Sequence, residues 1–223
     1  MPGAVVIGAG PGIGRSVARR FAREGMPVAV LARSEATGRA TAAAVAESGV
    51  RAVPLTADAA DEDGLRGALD AAVGALGTPE VVVYNAALIR PDAPGELSAR
   101  AQLDAYAVNV VGALTAAGHL LPAMARRGHG TFLVTGGMPE PKPAYTSLSL
   151  GKAGVRALVA LLAERYGPAG LHVATVTVDG PVAPGTDFDP DDIAEHYWRL
   201  HAEPPADWRR EVTHGPRPAA SRD

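Results

Sequence analysis

The 223-residue sequence contains no cysteine. That excludes disulfides, thiolate nucleophiles and cysteine-ligated zinc, and nothing points to an oxidising compartment. Aromatic residues are scarce, at 4% against 47% hydrophobic overall, so the core must be built from Ala, Val and Leu, a composition suited to close layers of helix on sheet. Neither charge sign dominates: 21 basic residues face 24 acidic ones, with no like-charge block able to coat nucleic acid or an anionic membrane. The N-terminal Met1 to Ile7 stretch lacks the basic segment and apolar run of a signal peptide, and no later run approaches membrane-spanning length. The expectation is a cytoplasmic protein that binds neither nucleic acid nor membrane.

What is present is an alternation. Short apolar runs at 4–7, 28–31, 52–55, 81–84, 131–135 and 173–178 are separated by alanine-rich amphipathic stretches at 13–23, 35–47, 62–73, 99–124 and 150–166. Gly25, Gly49, Gly77, Gly128 and Gly167 close those stretches. Nearly all-apolar strands alternating with helices indicate an α/β domain with a doubly wound parallel sheet covered on both faces. A single domain spans 1–213, with a further strand expected near its end. Residues 214–223, rich in Pro, Arg and Ala, read as a disordered tail.

The first strand runs directly into Gly8-Ala9-Gly10-Pro11-Gly12-Ile13-Gly14 and then a helix. Glycines at a strand-to-helix turn let the backbone approach a pyrophosphate, and the helix N-terminus attracts its charge. The spacing is Gly-x-x-x-Gly-x-Gly rather than Gly-x-Gly-x-x-Gly. With Gly8, Gly12, Ile13 and Gly14, the sequence resembles the short-chain dehydrogenase/reductase family, which implies a Rossmann fold and a nicotinamide dinucleotide. Cofactor choice is written after the second strand. Ala32 stands where NAD-preferring relatives carry an acid, and Arg33 offers a planar cation suited to a 2′-phosphate, so NADP(H) is expected. The resemblance further assigns Asp58 to the adenine amino group, Ala59 beside it and Asn85 and Ala86 in the turn after the fourth strand to cofactor binding, and Asn109 to a helix position that anchors a proton-relay water.

The active site departs from the family pattern. Lys152 matches the lysine that holds the nicotinamide ribose, but the proton-donating tyrosine four residues before it is replaced by Leu148. The serine that polarises the substrate falls on Gly137 when aligned from the strand, or on Thr135 when counted back from Leu148. Tyr145 is a second candidate donor, although Pro141 and Pro143 place it ahead of the helix. Ser147 and Ser149 read as cap and solvent-face residues. Three readings stay open: an NADP(H)-dependent oxidoreductase in which Tyr145, Thr135 or water supplies the proton, a cofactor-binding protein without dehydrogenase activity, and a non-redox isomerase or lyase. By resemblance the long helices pair into a homodimer or homotetramer, and the substrate is a small molecule.

Near the end, Asp189 caps a short helix beginning at Pro190 and carrying His196, Tyr197, Trp198 and His201. Tyr197 and Trp198 either wall an apolar pocket or fix that helix to the domain, the second being favoured for Trp198, and the two histidines are expected to lie at the surface without a metal.

Overall fold

The computed structural model describes residues 3–217. Within them seven strands form one sheet: β1 (Ala4–Ile7), β2 (Val28–Ala32), β3 (Ala52–Thr56), β4 (Val81–Tyr84), β5 (Gly130–Gly137), β6 (Leu171–Val178) and β7 (Glu211–His214). Their order is β3-β2-β1-β4-β5-β6-β7, and every pairing is parallel. β1, β2, β4 and β6 are buried at every residue, which is why their sequences show no polar alternation. Strand order reverses between β1 and β4, so a crevice opens beyond their carboxyl ends, where open α/β sheets bind ligands.

Among the described residues seven helices cover the two faces: α1 (Ile13–Arg23), α2 (Glu35–Ala46), α3 (Glu62–Leu76), α4 (Ala99–Tyr106), α5 (Gly112–Arg127), α6 (Thr146–Tyr166) and α7 (Pro190–His201). One core layer gathers Leu31, Leu69, Leu121, Phe132 and Val159, the other Phe21, Val30, Leu133, Val176 and Tyr197. Local caps fix several starts: Ser34, Asp61, Ser98 and Asp189 each accept a backbone N–H in the first turn that follows. Trp198 fastens α7 to α1, edge-on to Phe21 at 5.9 Å with the Arg20 guanidinium 5.0 Å over its ring.

The structure departs from the sequence reading in several places. The stretch read as one helix over 99–124 is divided by a π-helical turn, Ala107–Val111, and continues to Arg127. Ala99–Arg127 and Thr146–Ala169 are both long and apolar enough to cross a membrane, contrary to the expectation of no such run, but 56% and 50% of their apolar windows are buried within the protein. β5 extends two residues past Thr135, because Gly136 and Gly137 pair with Thr177 and Val178. His214 closes β7, and Arg217 pairs with Asp187 at 2.7 Å, so the tail read from 214 is attached over its first residues; residues 218–223 lie outside those described. His196 and His201 are held rather than free at the surface, His196 by His214 at 3.0 Å and His201 by Thr131 at 2.9 Å.

Candidate active site

The glycine loop sits at the sheet's topological switch point. Gly8 has φ 85°, and a Cβ there would lie 2.4 Å from the Ala86 nitrogen; one on Gly14 would lie 2.2 Å from the Gly8 carbonyl oxygen. Both positions are therefore fixed by close backbone contacts, Gly8 with the turn after β4 and Gly14 with Gly8 itself. Gly12 differs. Its φ of 105° favours glycine, but a Cβ there would meet nothing within 4 Å, so the loop holds its shape around open space. α1 begins at that point with no side-chain cap and no acid in its first turn, leaving its N-terminal amides and dipole for an anion. Ile13 packs against the core beside α1, and the neighbouring Arg15 has a buried Nε without a hydrogen-bond partner. Open space, uncapped amides and an unpaired guanidinium nitrogen fit a pyrophosphate.

Ala32, the last residue of β2, is buried, and Arg33 after it is exposed, leaving its guanidinium free of the core. Asp58 is exposed after β3, with its carboxylate accepting from the Ala60 amide at 2.9 Å. Ala59 follows it, half-buried, against the start of α5.

At the other end of the crevice, Lys152 is buried on α6 at 5% exposure and donates from Nζ to the Thr135 carbonyl oxygen at 2.7 Å. Burial lowers its pKa from 10.5 to about 8. Asn109, inside the π turn, is held by the Leu88 backbone: its Oδ1 accepts from the Leu88 amide at 2.8 Å and its Nδ2 donates to the Leu88 carbonyl at 3.3 Å. A π turn in a long helix commonly marks a functional position, and this one brings Asn109 against α6. At Gly137 an added Cβ would meet its nearest neighbours at ordinary distances, the Val178 oxygen at 3.5 Å and the Lys152 stem at 3.7 Å. Leu148 is buried at 4% exposure and presents no acid. Arg156 donates to the carbonyls of Gly137 and Met138 at 3.2 Å each and so steadies the loop at Met138, whose φ of 47° is left-handed.

Thr135 and Tyr145 differ in their surroundings. Thr135, considered as a substitute for the serine, has its hydroxyl bound to Asn85 Oδ1 at 2.8 Å and to the Tyr197 phenol at 2.6 Å, and is 8% exposed. Tyr145 stands half-buried immediately ahead of α6 without capping it, as the flanking prolines required. Ser147 and Ser149 are neither cap nor solvent-facing; they are 3% and 7% exposed, because α6 starts four residues earlier than its apolar pattern.

That early start depends on a residue that no motif in the sequence singles out. Asp92, in the loop after β4 and 2% exposed, accepts from the Ser147 amide at 2.9 Å and from the Ser147 hydroxyl at 2.8 Å. It caps α6 from 55 positions away, and no local spacing rule could find it. Among the described residues no group of three or more His, Asp or Glu is placed to hold a metal ion.

A protein-family model described as short chain dehydrogenase matches residues 3–189. Glucose 1-dehydrogenase 2 of Bacillus subtilis is 31% identical over 188 residues, covering 82% of this chain and 70% of that protein. A putative ketoacyl reductase of the granaticin polyketide synthase from Streptomyces violaceoruber is 34% identical over 203 residues, covering 87% and 80%. Among solved structures, a short-chain dehydrogenase from Rhodopseudomonas palustris superposes with a TM-score of 0.87 at 26% identity, covering 96% and 98%. An alcohol dehydrogenase from Thermococcus sibiricus, complexed with 5-hydroxy-NADP, gives 0.86 at 25% identity, covering 96% and 95%.

Proposed function

This chain belongs to the short-chain dehydrogenase/reductase family of oxidoreductases, and from that membership we propose an NADP(H)-dependent enzyme that acts on a small carbonyl or alcohol substrate with a reduced set of active-site groups. The observation that carries the reading is the cradle at Gly12: a left-handed glycine facing open space at the uncapped start of α1. When bound, the nicotinamide supplies or accepts the hydride. The chain's own residues do the rest. Lys152 holds the ribose hydroxyls, Asn109 fixes a water near the reacting oxygen, and the proton comes from Tyr145 or from that water, since Thr135 is engaged elsewhere and Leu148 has none to give.

Arg33 is assigned to the 2′-phosphate, a reading that the 5-hydroxy-NADP bound to the Thermococcus sibiricus relative supports. Arg33→Ser is expected to weaken NADPH binding about tenfold or more, the worth of a charge-assisted hydrogen bond, and to leave NADH affinity unchanged. Fluorescence titration with both dinucleotides checks this, and equal losses for the two would remove the role. The same titration followed by a panel of carbonyl substrates, monitored by nicotinamide absorbance, tests the enzyme reading. Tight NADPH binding with no turnover on any of them would leave a cofactor-binding protein in its place.

Leu103, Val111 and Leu114 on the α4 to α5 stretch, and Leu150 and Leu161 on α6, are large apolar residues exposed by 46 to 66%. They support a homodimer or homotetramer built on those helices. Leu114→Glu is expected to shift the sedimentation coefficient to that of a monomer; an unchanged value would place the interface elsewhere.

A further inference from the structure

A line of hydrogen bonds connects the last helix to the glycine loop. Asn85 Nδ2 donates to the Gly8 carbonyl at 2.9 Å. That leaves Oδ1 to accept, and it does so from the Thr135 hydroxyl at 2.8 Å. The single hydrogen of Thr135 is then spent, so the 2.6 Å contact with Tyr197 has the phenol as donor. The direction of the whole line, Tyr197 to Thr135 to Asn85 to Gly8, is set at its end by a carbonyl that can only accept. Tyr197 is completely buried on α7, and burial raises its pKa, so it stays a donor throughout the physiological range.

Two members of the line matter for the crevice. Gly8 is the residue on which the loop turns, in contact with Ala86 beside Asn85. Thr135 also offers its backbone oxygen to Lys152 Nζ, so one residue is tied both to the loop, through Asn85, and to the lysine. Without the threonine hydroxyl, Asn85 Oδ1 loses its donor, and turning the amide over to find another would abandon Gly8. Buried networks of this kind fail as units, because a half-satisfied member costs more than an apolar one.

We propose that Thr135 is a positioning residue for the dinucleotide and not a group that polarises substrate: its hydroxyl, locked by Tyr197, holds the Asn85 amide in the orientation that seats the glycine loop. The inference rests on the dinucleotide reading above. It also gives α7 a part in cofactor affinity, although no residue of that helix belongs to the loop.

NADPH is titrated by fluorescence into the full-length wild type, Thr135→Val, Thr135→Ser, Tyr197→Phe and the Thr135→Val/Tyr197→Phe pair, and each apo protein is melted. Thr135→Val is expected to bind about tenfold more weakly and Tyr197→Phe about threefold. Thr135→Ser should stay within about twofold, and the pair should be no worse than Thr135→Val alone, since the phenol acts only through the threonine. An unchanged NADPH affinity in Thr135→Val, with only its apo melting point lowered, makes the hydroxyl part of the core and overturns the proposal. Additive losses in the pair overturn the line as a unit. Should Thr135→Val fail to fold, Tyr197→Phe decides: a threefold loss upholds the proposal and an unchanged affinity overturns it. A wild type that binds neither NADPH nor NADH overturns the dinucleotide reading itself, an outcome distinct from wild-type binding that the variants leave intact.

Discussion

A Gly137→Ser/Leu148→Tyr double variant is expected to reduce carbonyl substrates about 10²- to 10⁴-fold faster than the wild type, the contribution of a positioned general acid. The remaining parts are already in place: a buried lysine on α6, Asn109 in its π turn and an open glycine cradle. A serine side chain fits at 137, because its Cβ would make only ordinary contacts, 3.5 Å to the Val178 oxygen and 3.7 Å to the Lys152 stem. A tyrosine at 148 stands one helical turn before Lys152 and shares its face, where the ammonium favours the phenolate and brings the phenol into proton-transfer range. Leu148→Tyr should carry most of the gain. NADPH oxidation against a carbonyl panel measures it, with NADPH affinity as the control. Unchanged turnover in a variant that binds NADPH normally would show that the missing acid is not what limits this site.

Lys152→Met is expected to make the protein more stable while it loses cofactor affinity. The folded state lowers the Lys152 pKa from 10.5 to about 8 through burial alone. Below pH 8 the lysine is charged in both folded and unfolded chains, and keeping that charge buried costs on the order of 3 kcal/mol, from about 1.4 kcal/mol per pH unit of displacement. Between pH 8 and 10.5 the folded lysine gives up its proton while the unfolded one keeps it, so wild-type stability gains with pH across that window. Methionine has a similar length and no charge. After the hydrogen bond to Thr135 is subtracted, at about 1 kcal/mol, roughly 2 kcal/mol remains, or about 5 °C in Tm for a domain of this size. Thermal melts at pH 7 and pH 10 check the sign: the advantage of the variant should be largest at pH 7 and shrink at pH 10. A Lys152→Met variant that melts below the wild type at pH 7 would contradict this account.

How much of this was legible beforehand follows from where each determinant lies along the chain. β1 and α1 fall where the sequence put them, because an unbroken apolar strand, a glycine turn and a helical period are contiguous there. β5 and α6 both run longer than their apolar patterns. In β5 the glycines at 136 and 137, poor strand formers in general, are recruited by pairing with β6. In α6 the first turn is polar and needs Asp92 from a distant loop. Of the site residues, Gly8, Gly14, Asn85 and Lys152 are linked through direct contacts, Gly14 with Gly8, Asn85 with Gly8 and Lys152 with Thr135 beside Asn85. Thr135 was found but given another role, because its partner Tyr197 comes 62 positions later and a sequence carries no sign of which phenol a hydroxyl will meet. The π turn was invisible for a related reason: the apolar period of an α-helix passes through it unbroken.

The capping of α6 by Asp92 also bears on the order in which the molecule assembles. A helix that carries its own cap can begin to form as soon as its residues are free to coil, whereas the first turn of α6 waits for a carboxylate delivered across 55 residues. Lys152 lies within the second turn of that helix, so the crevice gains its lysine only when the loop after β4 meets the start of α6.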